Sequence, residues 1–198
     1  MTDRKRQAAR ALAAALVSAM AGPALSQAAP APPAPTYGPP LTGVCVFSRK
    51  VALARSSAGQ SVAQQLTQFA QGIKGELGAQ RNAIQADDKA LAQRRGSTPP
   101  AEYQQGVATL KGRYAALDRT TRVRQDQMDR TSRDAAGLIE RATVPALSQV
   151  ITQRKCSLVV DTGVVFGANP AMDITGLVIQ LLNQRLPSVT VRLAPPRG

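Results

Sequence analysis

The sequence predicts an α+β fold, a long antiparallel α-helical coiled-coil hairpin projecting from a small β-sheet body. Three observations carry this expectation. Apolar residues recur at helical spacing through the polar region 57–155, broken once by the Gly/Pro-rich stretch "RGSTPPAEY". β-branched residues cluster on both sides of that region, in "GVCVFSRKVAL" and "SLVVDTGVVF". Aromatic residues make up 3% of the 198, with no Trp. Because aromatics dominate core burial, such a chain suits a small packed body better than a large globule.

Residues 1–28 have the plan of a secretory signal peptide. Arg4, Lys5, Arg6 and Arg10 precede an Ala-rich apolar run from Ala11 to Ala21, and the small residues that follow permit cleavage after Ser26 or Ala28. The run is shorter than the roughly 20 residues that a membrane-spanning helix needs. An uncleaved amphipathic anchor would use the same residues. Export places the expected mature chain in the periplasm. Residues 29–41 then read as a Pro/Ala-rich linker, since "AAPAPPAPTYGPP" suits an extended, disordered or polyproline-like segment.

Residues 42–56 and 156–198 are expected to form the body. Strands at Gly43–Leu53 and Ser157–Phe166 would be brought side by side by the returning chain. Cys45 and Cys156 fall within these two parts of the sequence. In an oxidising compartment they can bond and staple the two ends of the helical region. Two buried reduced thiols, used as small hydrophobes, are the other reading.

Residues 57–155 are the hairpin. Val62, Leu66, Phe69, Ile73, Leu77, Ile84 and Leu91 mark a narrow stripe whose steps of three and four lengthen to seven. Beyond the turn, Tyr103, Val107, Leu110, Tyr114, Leu117, Thr121, Arg124 and Met128 keep a heptad rhythm with two polar members. The pattern resumes at Ala135, Leu138 and Ile139 and runs on through Leu147, Val150 and Ile151, while Pro145 predicts a kink. A first helix of about 39 residues would extend about 60 Å. So narrow a stripe leaves most of each helix to water or to a partner. Gly72, Gly75, Gly78, Gly106, Gly112 and Gly137 each cost about 1 kcal/mol relative to Ala. That reads as a soft, bendable hairpin or as compositional drift.

In "GANPAMDIT" the Asn-Pro turn leads to a helix start that Asp173 or Thr175 can cap. Asp161 reads as a turn former at a strand end. "GLVIQLLNQ" is a short helix laying its Leu and Val face on the sheet, and "SVTVRLAP" is expected to be a last strand.

Charge and chemistry narrow the function. The chain has no His, which removes the commonest general base and metal ligand and every Ser-His or Cys-His pair. Asp161 and Asp173 have no convergent partners visible in the sequence. No enzyme activity, cofactor or metal site is expected. The formal charge is +13, and the expected signal carries four basic residues and one acidic one, so the basicity belongs mostly to the exported part. Anionic partners follow, whether nucleic acid, lipid headgroups or acidic unfolded chains, with solubility alone as the plain alternative.

The order of these elements resembles the Skp/OmpH family of periplasmic chaperones for outer-membrane proteins. The residues that carry the resemblance are Val159-Val160-Asp161, Val164-Val165-Phe166, Asp173-Ile174-Thr175, Val178 and Leu182-Asn183, with Pro145 after the second helix. It extends over about residues 42–193. It implies a homotrimer whose sheets unite into one body, with three hairpins hanging like tentacles around a cavity. Such a cavity holds unfolded outer-membrane proteins without ATP and keeps them from aggregating. The sequence departs from the family's habits in its Pro-rich linker, its two cysteines, its preference for Arg over Lys and its helix glycines.

On this reading Lys89, Arg94 and Arg95 near the turn, and Arg119, Arg122 and Arg124 on the second helix, are candidate contacts for client or for anionic membrane lipids. Ordinary solvated faces with i, i+4 pairs account for the same residues, since Asp118, Asp126, Asp129 and Asp134 are interleaved with them. A structural coiled-coil envelope protein, tethering periplasmic or membrane partners, is the alternative function. Nucleic acid is not an expected partner, because the export signal and the scarcity of stacking aromatics stand against it.

Overall fold

The computed structural model describes residues 35–197, so the expected signal peptide and the first part of the linker lie outside the described residues. Tyr37 and Gly38, near the end of that linker, contact the later chain. Asn169 Nδ2 donates to the Gly38 carbonyl at 2.8 Å, and the Tyr37 ring lies against Gly167.

Strand β1 (Val44–Phe47) follows Gly43, whose φ of 78° lies in the left-handed region. That conformation, available to Gly without steric cost, turns its carbonyl toward the Ser157 and Leu158 amides, which donate to it at 2.6 and 3.0 Å. The strand then stops at Ser48. Its hydroxyl accepts from the Val51 amide at 3.3 Å and caps helix α1 (Arg49–Arg55). The expected strand Gly43–Leu53 is therefore corrected to a four-residue strand followed by a helix. A serine cap ahead of "RKVALAR", rich in helix formers, outweighs the β-branched residues before it.

Ser56 is extended, ends α1 and caps α2 (Ser57–Gln93) by accepting from the Gly59 amide at 3.1 Å. The corner is tight. A Cβ on Gly59 would overlap the Leu53 carbonyl. Residues 94–99 form the far turn, and Pro100 occupies the first position of α3 (Pro100–Arg154), where its missing N–H costs nothing. Helix α3 runs through Pro145 and ends at Lys155, left-handed with φ 55°.

Strand β2 (Leu158–Asp161) pairs with β1 in parallel, Val44 opposite Leu158 and Cys45 opposite Val159. Parallel pairing is possible because α1 and the bend at Ser56 separate β1 from the direction of the shaft. The expected strand Ser157–Phe166 is shorter in the structure. Asp161 Oδ1 accepts from the Gly163 amide at 2.7 Å and starts a single 3-10 turn at Thr162–Val164. A second such turn at Pro170–Met172 leads to α4 (Thr175–Arg185), with Asp173 Oδ1 accepting from the Thr175 amide at 2.8 Å. Val46 and Ile174 join the sheet to this corner, Ile174 N–H donating to the Val46 carbonyl at 2.9 Å.

Buried residues fall into two clusters. The larger one lies at the base, where Phe47, Ala52, Val62, Ile139, Val150, Ile174, Val178 and Leu182 meet. A smaller one, of Ile84, Leu110 and Leu117, holds the shafts together farther out. The α3 stripe departs from the expected heptad. Val107 and Tyr114 are exposed, whereas Gln127, Thr131, Ala135, Ile139 and Thr143 are buried, a spacing of four. The segment "SVTVRLAP" forms no strand in the structure. It lies along the shafts, where side chains of α2 and α3 take up its backbone groups.

Candidate functional site

Cys45 in β1 and Cys156 just before β2 are joined by a disulfide, their Cα atoms 5.7 Å apart. It closes the base of the hairpin. A hydrogen bond across 127 residues does similar work nearby, the Ser48 amide donating to Thr175 Oγ1 at 2.9 Å in a buried setting. Between them these contacts fix where the two shafts emerge.

The six candidate basic residues are distributed over three places. Lys89 is exposed on the last turns of α2, and Arg94 and Arg95 are exposed in the far turn. The Arg95 guanidinium lies 5.9 Å from the centre of the Tyr103 ring, within cation–π range. Arg119 and Arg122 are exposed on α3, about 28 Å from its start at 1.5 Å per residue. Arg122 pairs with Asp118 at 2.8 Å, an exposed pair of little energetic weight.

Arg124 sits apart from the other five. It is half-buried between the shafts, with Nη2 2.9 Å from both Glu76 carboxylate oxygens and Nη1 3.0 Å from Gln127 Oε1. Its Nε is buried and has no hydrogen-bond partner. Geometry thus gives Arg124 an internal partner on the opposite helix. The other five present their charge to solvent, and the structure does not gather them into one pocket.

Two hollows accompany the shafts. One, of about 300 Å³, lies at the base between Phe47, Leu53, Val144, Leu147 and Val159, and the Arg49–Glu140 ion pair at 3.1 Å borders it. The other, of about 650 Å³, opens between α2 and α3, lined by Leu66, Ile73, Leu77, Arg124 and Met128. Apolar side chains are also exposed beside β2, with Leu158, Val164 and Phe166 all open to solvent. In the described residues no helix is long and apolar enough to cross a membrane.

Sequence reasoning missed three polar residues that face the seam of the hairpin, Gln65, Gln127 and Thr131. Thr131 and Gln127 are among the buried residues of α3. Their signal was the four-residue spacing they share with Ala135 and Ile139, which a heptad template passes over.

This arrangement offers long solvated surfaces with mixed apolar and basic groups, held at one end by a compact base. Comparison with known proteins agrees with it. A family model described as outer membrane protein (OmpH-like) matches residues 43–182. A crystal structure of a candidate outer membrane chaperone (OmpH-like) from Caulobacter crescentus CB15 is 32% identical, with a TM-score of 0.74, covering 83% of this chain and 96% of that one. No curated protein sequence matches. By the extent of the family match and of the shared fold, the chain belongs to the OmpH-like outer membrane protein family.

Proposed function

We propose that this protein is an ATP-independent periplasmic holdase chaperone. It binds unfolded outer-membrane proteins in a cavity between helical tentacles and prevents their aggregation. The observation that carries the proposal is the hairpin itself. Helices of 37 and 55 residues stand out from a small base core, and most of their surface faces solvent. Unfolded barrel strands expose alternating apolar side chains and unpaired edges, which aggregate unless covered. Many weak contacts along a shaft can cover them without a fixed site and without nucleotide. The Caulobacter relative's description as a candidate outer membrane chaperone supports the same role.

A homotrimer completes this reading. Among the described residues the sheet has two strands, and Leu158, Val164 and Phe166 are exposed at or beside the second. Apolar exposure next to an open strand edge is a feature that association with further copies would cover. Three hairpins around one axis then enclose the cavity. Lys89, Arg94, Arg95, Arg119 and Arg122 supply the positive field that draws acidic clients or anionic lipid surfaces. The Cys45–Cys156 bond suits an oxidising compartment.

The test is light scattering from a denatured outer-membrane protein diluted into buffer with a molar excess of the trimer. Suppressed scattering without ATP is expected. Scattering that rises as fast as in its absence overturns the proposal. Sedimentation of the free protein at the mass of three chains checks the assembly.

A further inference from the structure

The C-terminal segment beyond α4 is held in an unusual way. It runs along the seam of α2 and α3, and the hydrogen bonds that hold it there fall almost wholly on its backbone. Gln65 grips two residues of it, Nε2 donating to the Val189 carbonyl at 2.6 Å and Oε1 accepting from the Val191 amide at 2.8 Å. Farther along, Gln127 Nε2 donates to the Ala194 carbonyl at 2.6 Å while Thr131 Oγ1 accepts from the Ala194 amide at 2.9 Å. Arg130 donates to the Pro195 carbonyl at 2.5 Å.

Each glutamine amide, the second one aided by Thr131, stands in for the edge of a neighbouring β-strand. It supplies one donor and one acceptor to an extended chain. Recognition of that kind takes its affinity from main-chain groups and its selectivity from alternate side chains. The alternation is present, with Val189 buried, Thr190 exposed, Val191 half-buried and Arg192 exposed. Apolar residues at every second position are also the signature of an outer-membrane barrel strand.

The match to the family model ends at residue 182, within α4 and before the segment begins. Gln127 and Thr131 are 3% and 2% exposed with the segment in place. Neither loses every partner when it leaves, because Gln127 Oε1 also accepts from Arg124 Nη1 and Thr131 Oγ1 donates to the Gln127 carbonyl, so the groove can pass from one extended backbone to another.

We propose that the Gln65–Gln127–Thr131 groove is a binding site for extended polypeptide. The chain's own Val189–Arg197 is its resident ligand, and a barrel-strand segment of unfolded client replaces it. The identity of the replacing ligand rests on the holdase reading; the groove and its resident do not.

Amide hydrogen exchange on the full-length protein tests this. Without client, the Val191 and Ala194 amides are expected to exchange at least about a hundredfold faster than the Ile174 amide of the base core, through local opening. Equal rates mean the segment leaves only when the whole molecule unfolds, and the proposal is overturned. With an unfolded outer-membrane protein bound and scattering suppressed, both amides are expected to speed up by a further tenfold or so, as displaced amides lose their acceptors. Unchanged rates with the client held overturn the inference and leave the holdase standing. If scattering is not suppressed at all, the holdase reading fails, and the replacing ligand named here fails with it.

Discussion

Cys45 and Cys156, 111 positions apart in the chain, are bonded with their Cα atoms 5.7 Å apart at the base of the hairpin. A crosslink closing so long a loop restricts the unfolded chain most. On chain-entropy arithmetic it contributes about 4–5 kcal/mol, and less if the reduced chain keeps structure. The double variant Cys45→Ala, Cys156→Ala is expected to lose stability on that scale in urea unfolding. Added reductant should bring the native protein to the same midpoint. A midpoint indifferent to both would show that the base core holds the strands together unaided.

Thr175 Oγ1 accepts from the buried Ser48 amide at 2.9 Å. Thr175→Val keeps the shape and removes that acceptor, so stability should fall by about 1–3 kcal/mol. Thr175→Ser should retain most of it. Equal losses from the two variants would mean that the methyl, not the hydroxyl, matters.

A Cβ at Gly72 or Gly75 would meet no other atom within 4 Å. These glycines weaken α2 without serving its packing. Gly72→Ala and Gly75→Ala should each stabilise the protein by about 1 kcal/mol, read as a higher melting temperature. If softness of the shaft matters to holding client, the double variant should also suppress aggregation less well at equal concentration.

Arg124 and Glu76 link the two shafts. The side chains are 29% and 37% exposed, so solvent discounts the pair, and a coupling of about 1 kcal/mol is expected from a double-mutant cycle on Arg124→Gln and Glu76→Gln. Zero coupling would mark the contact as incidental and return Arg124 to the pool of client-facing charges.

Charge reversal at the tip, with Lys89→Glu, Arg94→Glu and Arg95→Glu combined, should leave folding intact because all three are exposed. Capture of an acidic client is expected to weaken several-fold at low salt and to lose most of its salt dependence, since steering by exposed charge is screened within about 10 Å at 0.1 M. Retention of wild-type capture at every salt concentration would assign these residues to solubility alone.

Much of this architecture is legible in the residues, and the places where it is not have identifiable causes. The hairpin could be read because one periodicity persists from Val62 to Leu91 and again beyond Tyr103, broken by Gly96 and Pro99-Pro100. Asp161 is legible as a turn former at a strand end, and its carboxylate accepts from the Gly163 amide; at α4 the cap position falls on Ile174, which has no side-chain cap bond, while Asp173 accepts from the Thr175 amide. Arg49–Leu53 differ from the expected strand because Ser48 caps a helix there, its hydroxyl accepting from the Val51 amide, a local bond that the β-branched residues before it do not announce. The C-terminal "SVTVRLAP" has the alternation of a strand and is extended along the shaft, but its pairing partners are side chains. No sequence template contains such a pairing.

What the amino-acid order settles alone is local: the helical rhythm of the shafts, which segment turns between them, and that the chain is basic and free of histidine. Those follow from capping, backbone freedom and charge, which act within a few residues. The tertiary structure decides everything that joins distant residues. It sets the two strands parallel, pairs Arg124 with Glu76 and lays the C-terminal segment against Gln65, Gln127 and Thr131. Each of these depends on which faces meet after the chain has returned over 48 or more residues, and spacing along the chain holds no record of that.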